Sequence, residues 1–92
     1  MTLEELYQII MQRKQNPAPG SYTVELFTKG EDEILKKVGE ESVEVILAAK
    51  GQGNPRLIEE VADLTYHTLV LLAARGLTPA DILAELERRH KK

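Results

Sequence analysis

Leu3, Leu6, Tyr7, Ile10 and Met11 recur at alternating three- and four-residue spacing, which predicts a first amphipathic helix. Thr2 followed by Glu5 makes a capping-box pattern at its start. The breaker cluster Asn16-Pro17-Ala18-Pro19-Gly20 ends it near Gln15. Ser21 to Lys29 carries no clean period; one or two short turns are expected, with Leu26 and Phe27 against the core and Gly30 closing the stretch. A second helix is predicted from about Glu31 to Lys50. Its acidic start suits the positive end of the helix dipole, and Ile34, Leu35, Val38, Val45, Ile46 and Ala49 form its expected buried stripe. Gly39 costs roughly 1 kcal/mol against Ala in mid-helix, so close backbone approach is expected there. Gly51-Gln52-Gly53-Asn54-Pro55 is the next break, with Asn54 expected as cap and Pro55 at the first helical position. The third helix then runs to about Arg75. It is apolar nearly all round from Leu69 to Ala73 and therefore expected at the centre. Thr78-Pro79-Ala80-Asp81 starts a fourth helix, with Ile82, Leu83 and Leu86 facing inward and the basic tail Arg88 to Lys92 at its C-terminus.

No internal repeat, low-complexity stretch or linker interrupts this pattern, so residues 1–92 read as a single all-α domain. Aromatics are 4% of the chain with no Trp, so the core must be aliphatic, which suits helix packing. A chain of 92 residues is marginal alone, and a bundle of four helices completed by a homodimer is the expected architecture. The net charge of -3 and the lack of a clustered basic face argue against a nucleic-acid partner. With no cysteine, disulfides and thiolate zinc sites are excluded. The longest apolar run, Leu69 to Ala74, is too short to cross a membrane, and a cytoplasmic protein is expected.

Candidate chemistry lies in two acidic groups. Glu40, Glu41 and Glu44 fall within roughly 100° of arc on the second helix. Glu60 and Asp63 share one face of the third. Any one of them alone would be an ordinary solvated surface acid. As a group they are interleaved with Val43, Val45 and Ile46 or stand on the most apolar helix, with no Lys or Arg between Arg56 and Arg75. Hard oxygen ligands at that spacing point to a divalent metal, Mg²⁺. His67, one turn beyond Asp63, is read as a carboxylate partner or a buried hydrogen-bonded histidine before a ligand. Lys37 shares the glutamate face and can reach a phosphate, whereas Lys36 is expected to pair with a nearby acid.

Glu40-Glu41-x-x-Glu44, fifteen residues, then Glu60-x-x-Asp63 resembles the signature of the all-α MazG-like nucleotide pyrophosphohydrolases. The context is more specific: Ser21-Tyr22-Thr23-x-x-Leu26-Phe27-x-x-Gly30, Ile34-Leu35-Lys36-Lys37-Val38-Gly39, Tyr66-His67 and Leu86-Glu87-x-Arg89-His90 resemble the phosphoribosyl-ATP pyrophosphohydrolase family of histidine biosynthesis. That resemblance covers nearly the whole chain. It implies Mg²⁺-dependent hydrolysis of the α–β phosphoanhydride of phosphoribosyl-ATP, giving phosphoribosyl-AMP and pyrophosphate, by a dimer with its site near the subunit interface. On it, Glu41, Glu44, Glu60 and Asp63 are the expected metal ligands. Glu40 and Glu41 are the expected catalytic carboxylates, and Ser21, Thr23, Lys29 and Lys37 the expected substrate contacts. Two alternatives stay open on the residues: a house-cleaning nucleoside triphosphate pyrophosphohydrolase of the MazG type, and a helical dimerisation module whose acids are only solvated.

Overall fold

The computed structural model describes residues 1–91, so the last basic position, Lys92, lies outside the described residues. Five helices follow one another: α1 (Leu3–Gln15), α2 (Tyr22–Lys29), α3 (Glu31–Gly51), α4 (Asn54–Ala74) and α5 (Pro79–His90). The all-α expectation holds, with one helix more than the pattern predicted. The stretch expected as turns is α2, whose start is capped by the Ser21 hydroxyl accepting from the Val24 amide. Its eight residues are too few for a clear hydrophobic period, so sequence alone under-read it. Thr2–Glu5 and Thr78–Asp81 both close as reciprocal capping boxes, as their spacing predicts.

Gly30 joins two helices with no loop between them. It is the C-cap of α2 and the N-cap of α3 at φ 100°, a left-handed conformation that favours glycine. Gly53, at φ 85°, is the residue that caps α4, so Asn54 is the first helical residue and not the expected cap. Gly39 meets no close backbone: a Cβ there would find nothing within 4 Å.

α3 and α4 form an antiparallel hairpin about Gln52–Gly53. Arg75, just past the end of α4, clasps Glu31 at the start of α3, its Nε donating across 2.5 Å. The core gathers at that clasped end: Tyr7 and Ile10 of α1, Leu26 of α2, Ile34 of α3, and Leu69, Val70, Leu72 and Ala73 of α4. The predicted central stretch of the third helix is thus buried as expected, with Leu71 half-buried. Two polar ties hold the layers. Tyr7 donates to the Leu77 carbonyl, and Lys14 donates to the Ala73 carbonyl at the end of α4, both from α1.

The predicted stripe of α3 is only partly buried. Ile34 and Ala48 are covered, Val38 and Val45 are half-buried, and Leu35, Ile46 and Ala49 are exposed. Ile46 is 60% and Ile58 70% exposed, and both lie six positions from Gln52, at the open tip of the hairpin. Ile82, Leu83 and Leu86, expected to face inward, are also exposed, because α5 packs mainly on α1 and buries none of its own residues. Helical periodicity marks an apolar face but not what covers it, so the burial expected for these residues is not found within the chain. It does not say whether the cover comes from the same chain.

Candidate metal centre

The hairpin explains why distant carboxylates meet. Glu41 and Asp63 each stand eleven positions from Gln52, and Glu44 and Glu60 each stand eight. Antiparallel helices of equal rise place such positions opposite one another. Glu41, Glu60 and Asp63 each offer a carboxylate oxygen, and these lie within 4.8 Å of one another. Glu40, Val43 and Glu44 complete the walls of an open cleft of about 510 Å³ around them. Of the predicted metal ligands the structure therefore brings three together and sets Glu44 on the same cleft wall.

The site carries unbalanced negative charge. Burial first, and then the negative charge of Asp63, push the Glu41 carboxyl above its ordinary value; Glu60 adds to the rise and His67 opposes it. Glu60 is buried and partly neutralised from its own helix, because Arg56 donates to it across 2.6 Å and equally to Glu59. The acidic face is thus less bare than the sequence count implied. The signal for this lies in the (i, i+4) spacing from Arg56 to Glu60, with Arg56 at the edge of the stretch free of Lys and Arg. The donor set is all oxygen, and it fits a hard divalent cation, whose charge would relieve the crowding of Glu41 against Asp63.

His67 is buried and fully engaged. Its Nδ1 lies 2.7 Å from the Asp63 carbonyl and its Nε2 2.7 Å from the Tyr22 hydroxyl. Of the two readings placed before a ligand, a carboxylate partner or a buried hydrogen-bonded histidine, the structure shows the second. Among the other predicted contacts, Lys37 stands 3.6 Å from Glu40, which lines the cleft. Lys29 pairs with Glu25 at 2.8 Å on α2. The Ser21 hydroxyl caps α2, and the buried Thr23 hydroxyl is hydrogen-bonded to Tyr66. Lys36 is exposed and, among the described residues, forms no ion pair, so the pairing expected for it is absent. Tyr22 stands in the sequence only as part of a motif; its link to His67 spans 45 residues and has no local sequence signal.

No described helix is long and apolar enough to cross a membrane. Residues 3–90 match the family described as phosphoribosyl-ATP pyrophosphohydrolase. A phosphoribosyl-ATP pyrophosphatase of Pelotomaculum thermopropionicum is 54% identical over 98% of this chain and 92% of its own length. One from Limosilactobacillus fermentum is 60% identical over 95% of this chain and 82% of its own. A histidine biosynthesis bifunctional protein of Caldanaerobacter subterraneus is 53% identical over 98% of this chain, which covers 44% of that longer protein. With the family match spanning nearly all of its length, this chain belongs to the phosphoribosyl-ATP pyrophosphohydrolase family.

Proposed function

We propose that this chain hydrolyses phosphoribosyl-ATP to phosphoribosyl-AMP and pyrophosphate, the histidine-biosynthetic step its relatives are named for, with Mg²⁺ held in the acidic cleft. One observation carries the reading: Glu41, Glu60 and Asp63 converge within 4.8 Å across the α3–α4 hairpin. Together with Glu44, they are the groups that would hold the ion. When bound, Mg²⁺ supplies charge neutralisation of the triphosphate and orientation of water. The chain's own part is positional. Lys37 stands at the cleft edge to receive a phosphate, and Glu40, beside it, takes the proton of the attacking water; Glu41 is the second catalytic carboxylate. Water oxygen bonds to phosphorus as the α–β anhydride bond breaks, and its electron pair leaves with pyrophosphate. Ser21 and Lys29 line a separate pocket along α2 and Thr23 is buried against Tyr66; we propose all three as further phosphate contacts of the substrate.

The reading extends to one domain over residues 1–92, a cytoplasmic setting and a homodimer. Exposed Val43, Ile46, Leu47, Ile58 and Val61 beside the cleft support the dimer, because such apolar patches are uncommon on monomers. An Ile58→Glu chain that ran at the same mass as wild type in light-scattering chromatography would count against that face.

The test of function is pyrophosphate release from phosphoribosyl-ATP with and without Mg²⁺, beside ATP and dCTP. Release from phosphoribosyl-ATP alone, and only with metal, is expected. Release from the ordinary triphosphates instead would move the chain to house-cleaning chemistry. Silence on all three from folded protein would refute the enzymatic reading.

A further inference from the structure

We propose that Arg56 is a substrate-contacting residue that changes partners with the metal: it occupies Glu60 in the metal-free chain and turns to the pyrophosphate group once a cation takes that carboxylate. This rests on the nucleotide pyrophosphohydrolase reading above. Glu60 is 5% exposed and is the most deeply buried of the three converging carboxylates. A buried carboxylate needs a partner, since burial strips away its hydration. Among the described residues the cation paired with Glu60 is Arg56, one turn earlier on α4, whose Nη2 donates to Oε1 across 2.6 Å. The guanidinium thus supplies in the metal-free chain the positive charge that the acidic centre lacks. A divalent ion at Glu60 contends with it for one carboxylate, and two cations brought that close repel.

The way the guanidinium is shared sets this pair apart from an ordinary ion pair on a helix surface. Arg56 does not grip Glu60 with both ends of its fork. Its Nη1 donates to Glu59 and its Nη2 to Glu60, each across 2.6 Å. The Glu59 side chain is 61% exposed and stands outside the converging trio. When an ion draws Glu60 away, the Glu59 contact remains as a tether, and Nη2 is freed beside a carboxylate that lines the cleft. A guanidinium has five N–H donors, and Arg56 commits two of them among the described residues. Its planar fork matches the oxygens of a phosphate. The residues lining the cleft include five acids and no cation, so a polyphosphate there needs positive charge from its margins. Along the hairpin Lys37 stands fifteen positions from Gln52 and Arg56 four, with Glu41, Glu44, Glu60 and Asp63 at eight or eleven between them. The two cations bracket the acidic centre along the helix axes. Pyrophosphate gathers the negative charge as the anhydride breaks, so it is the group that a second cation beside the ion serves.

Calorimetry reads the two partners separately. Mg²⁺ is titrated into the metal-free chain, and magnesium pyrophosphate into the chain saturated with Mg²⁺. In Arg56→Met, Mg²⁺ alone is expected to bind several-fold tighter. Pyrophosphate is expected to bind about tenfold weaker, the worth of one charged hydrogen bond. Opposite signs mark a change of partners. An ion pair that serves the fold alone shifts both affinities the same way or neither, and either result overturns the proposal. Because Arg56→Met strands Glu60, Glu59→Ala is measured too; it removes an exposed carboxylate and leaves Arg56 and Glu60 paired. Mg²⁺ should then bind no tighter than to wild type, and pyrophosphate several-fold weaker, because the freed guanidinium has lost its tether. Unchanged pyrophosphate binding in Glu59→Ala overturns the proposal. If wild type proves to cleave ordinary nucleoside triphosphates, the phosphoribosyl reading falls, and Arg56 is judged by the same two titrations. A wild-type chain that binds no Mg²⁺ overturns both.

Discussion

Replacing Glu41 by Gln removes one charge from the converging trio while keeping its shape. The oxygens of Glu41, Glu60 and Asp63 lie within 4.8 Å. Two unit charges at that distance repel by about 0.9 kcal/mol in water and about 3.5 kcal/mol at an effective dielectric of 20. Arg56 already offsets Glu60, so Asp63 is the uncompensated neighbour, and the open cleft favours the lower half of that range, about 1–2 kcal/mol. In a chain of this size each kcal/mol shifts the melting temperature by about 4–8 °C. In EDTA at neutral pH the Gln variant should therefore melt about 5–10 °C above wild type. The sign follows from the raised Glu41 carboxyl: the folded state holds that proton more tightly than the unfolded state. Its stabilisation is present below the ordinary carboxyl value and lost as pH rises through the raised one. The advantage of Gln, which has no proton to lose, accordingly shrinks on acidification. With Mg²⁺ at about a hundredfold excess over its dissociation constant, wild type should gain about 2.7 kcal/mol, and the variant, short of one ligand, should gain less. Thermal melts in EDTA and in Mg²⁺ should narrow or reverse the order of the two proteins. A variant that melts below wild type in EDTA, or that gains as much from Mg²⁺, would refute both the charge crowding and the ligand role.

Arg56→Met should lower metal-free stability by about 1–3 kcal/mol, since it strands buried Glu60 but removes a half-exposed partner. It should also tighten Mg²⁺ binding by calorimetry, because the guanidinium no longer competes for Glu60. Leu26→Ala, at a position 1% exposed, should cost about 2–5 kcal/mol in urea unfolding and loosen α2. If it costs under 0.5 kcal/mol, then α2 is not seated as described. Glu31 is held below the ordinary carboxyl range by its hydrogen bond to Arg75, so its contribution is full above that range and lost as pH falls through the lowered value. Arg75→Gln should therefore flatten the fall of the urea midpoint between pH 6 and pH 3, and an unchanged slope would count against the clasp.

The long helices were legible because their signals are local and repeated. Thr2–Glu5, Thr78–Asp81 and the apolar run through Leu69 to Ala73 each state their structure within a turn or two. The carboxylates were legible as two faces, and the hairpin turn at Gln52–Gly53 makes their meeting a matter of equal counting from the turn. What sequence hid is non-local or depends on what lies outside the chain. Tyr22 reaches His67 across 45 residues, and nothing in its neighbourhood announces that bond. Ile46, Ile82 and Leu86 have the periodicity of core residues, but this chain alone does not cover them. Gly39 read as a close approach because its helix-propensity cost wanted a reason, and the space around it is open.

The position of the cleft along the hairpin couples its chemistry to its stability. On one side lies the clasped, packed end, where Ile34, Leu26 and Val70 are buried and Arg75 grips Glu31. On the other lies the tip, where Ile46 and Ile58 face solvent. Carboxylate repulsion midway acts to splay α3 from α4, and only the packed end resists it within one chain. A cation at Glu41, Glu60 and Asp63 draws the helices together from within. A second copy covering the tip, as proposed above, would hold them from outside. Both proposed ligands would favour the same closed hairpin. Binding of either must then strengthen the other by the same factor, because coupling free energy is reciprocal. On the proposed reading, the crowded acids and the uncovered tip would act as one device, because the same pair of helices would be closed by ion and partner together.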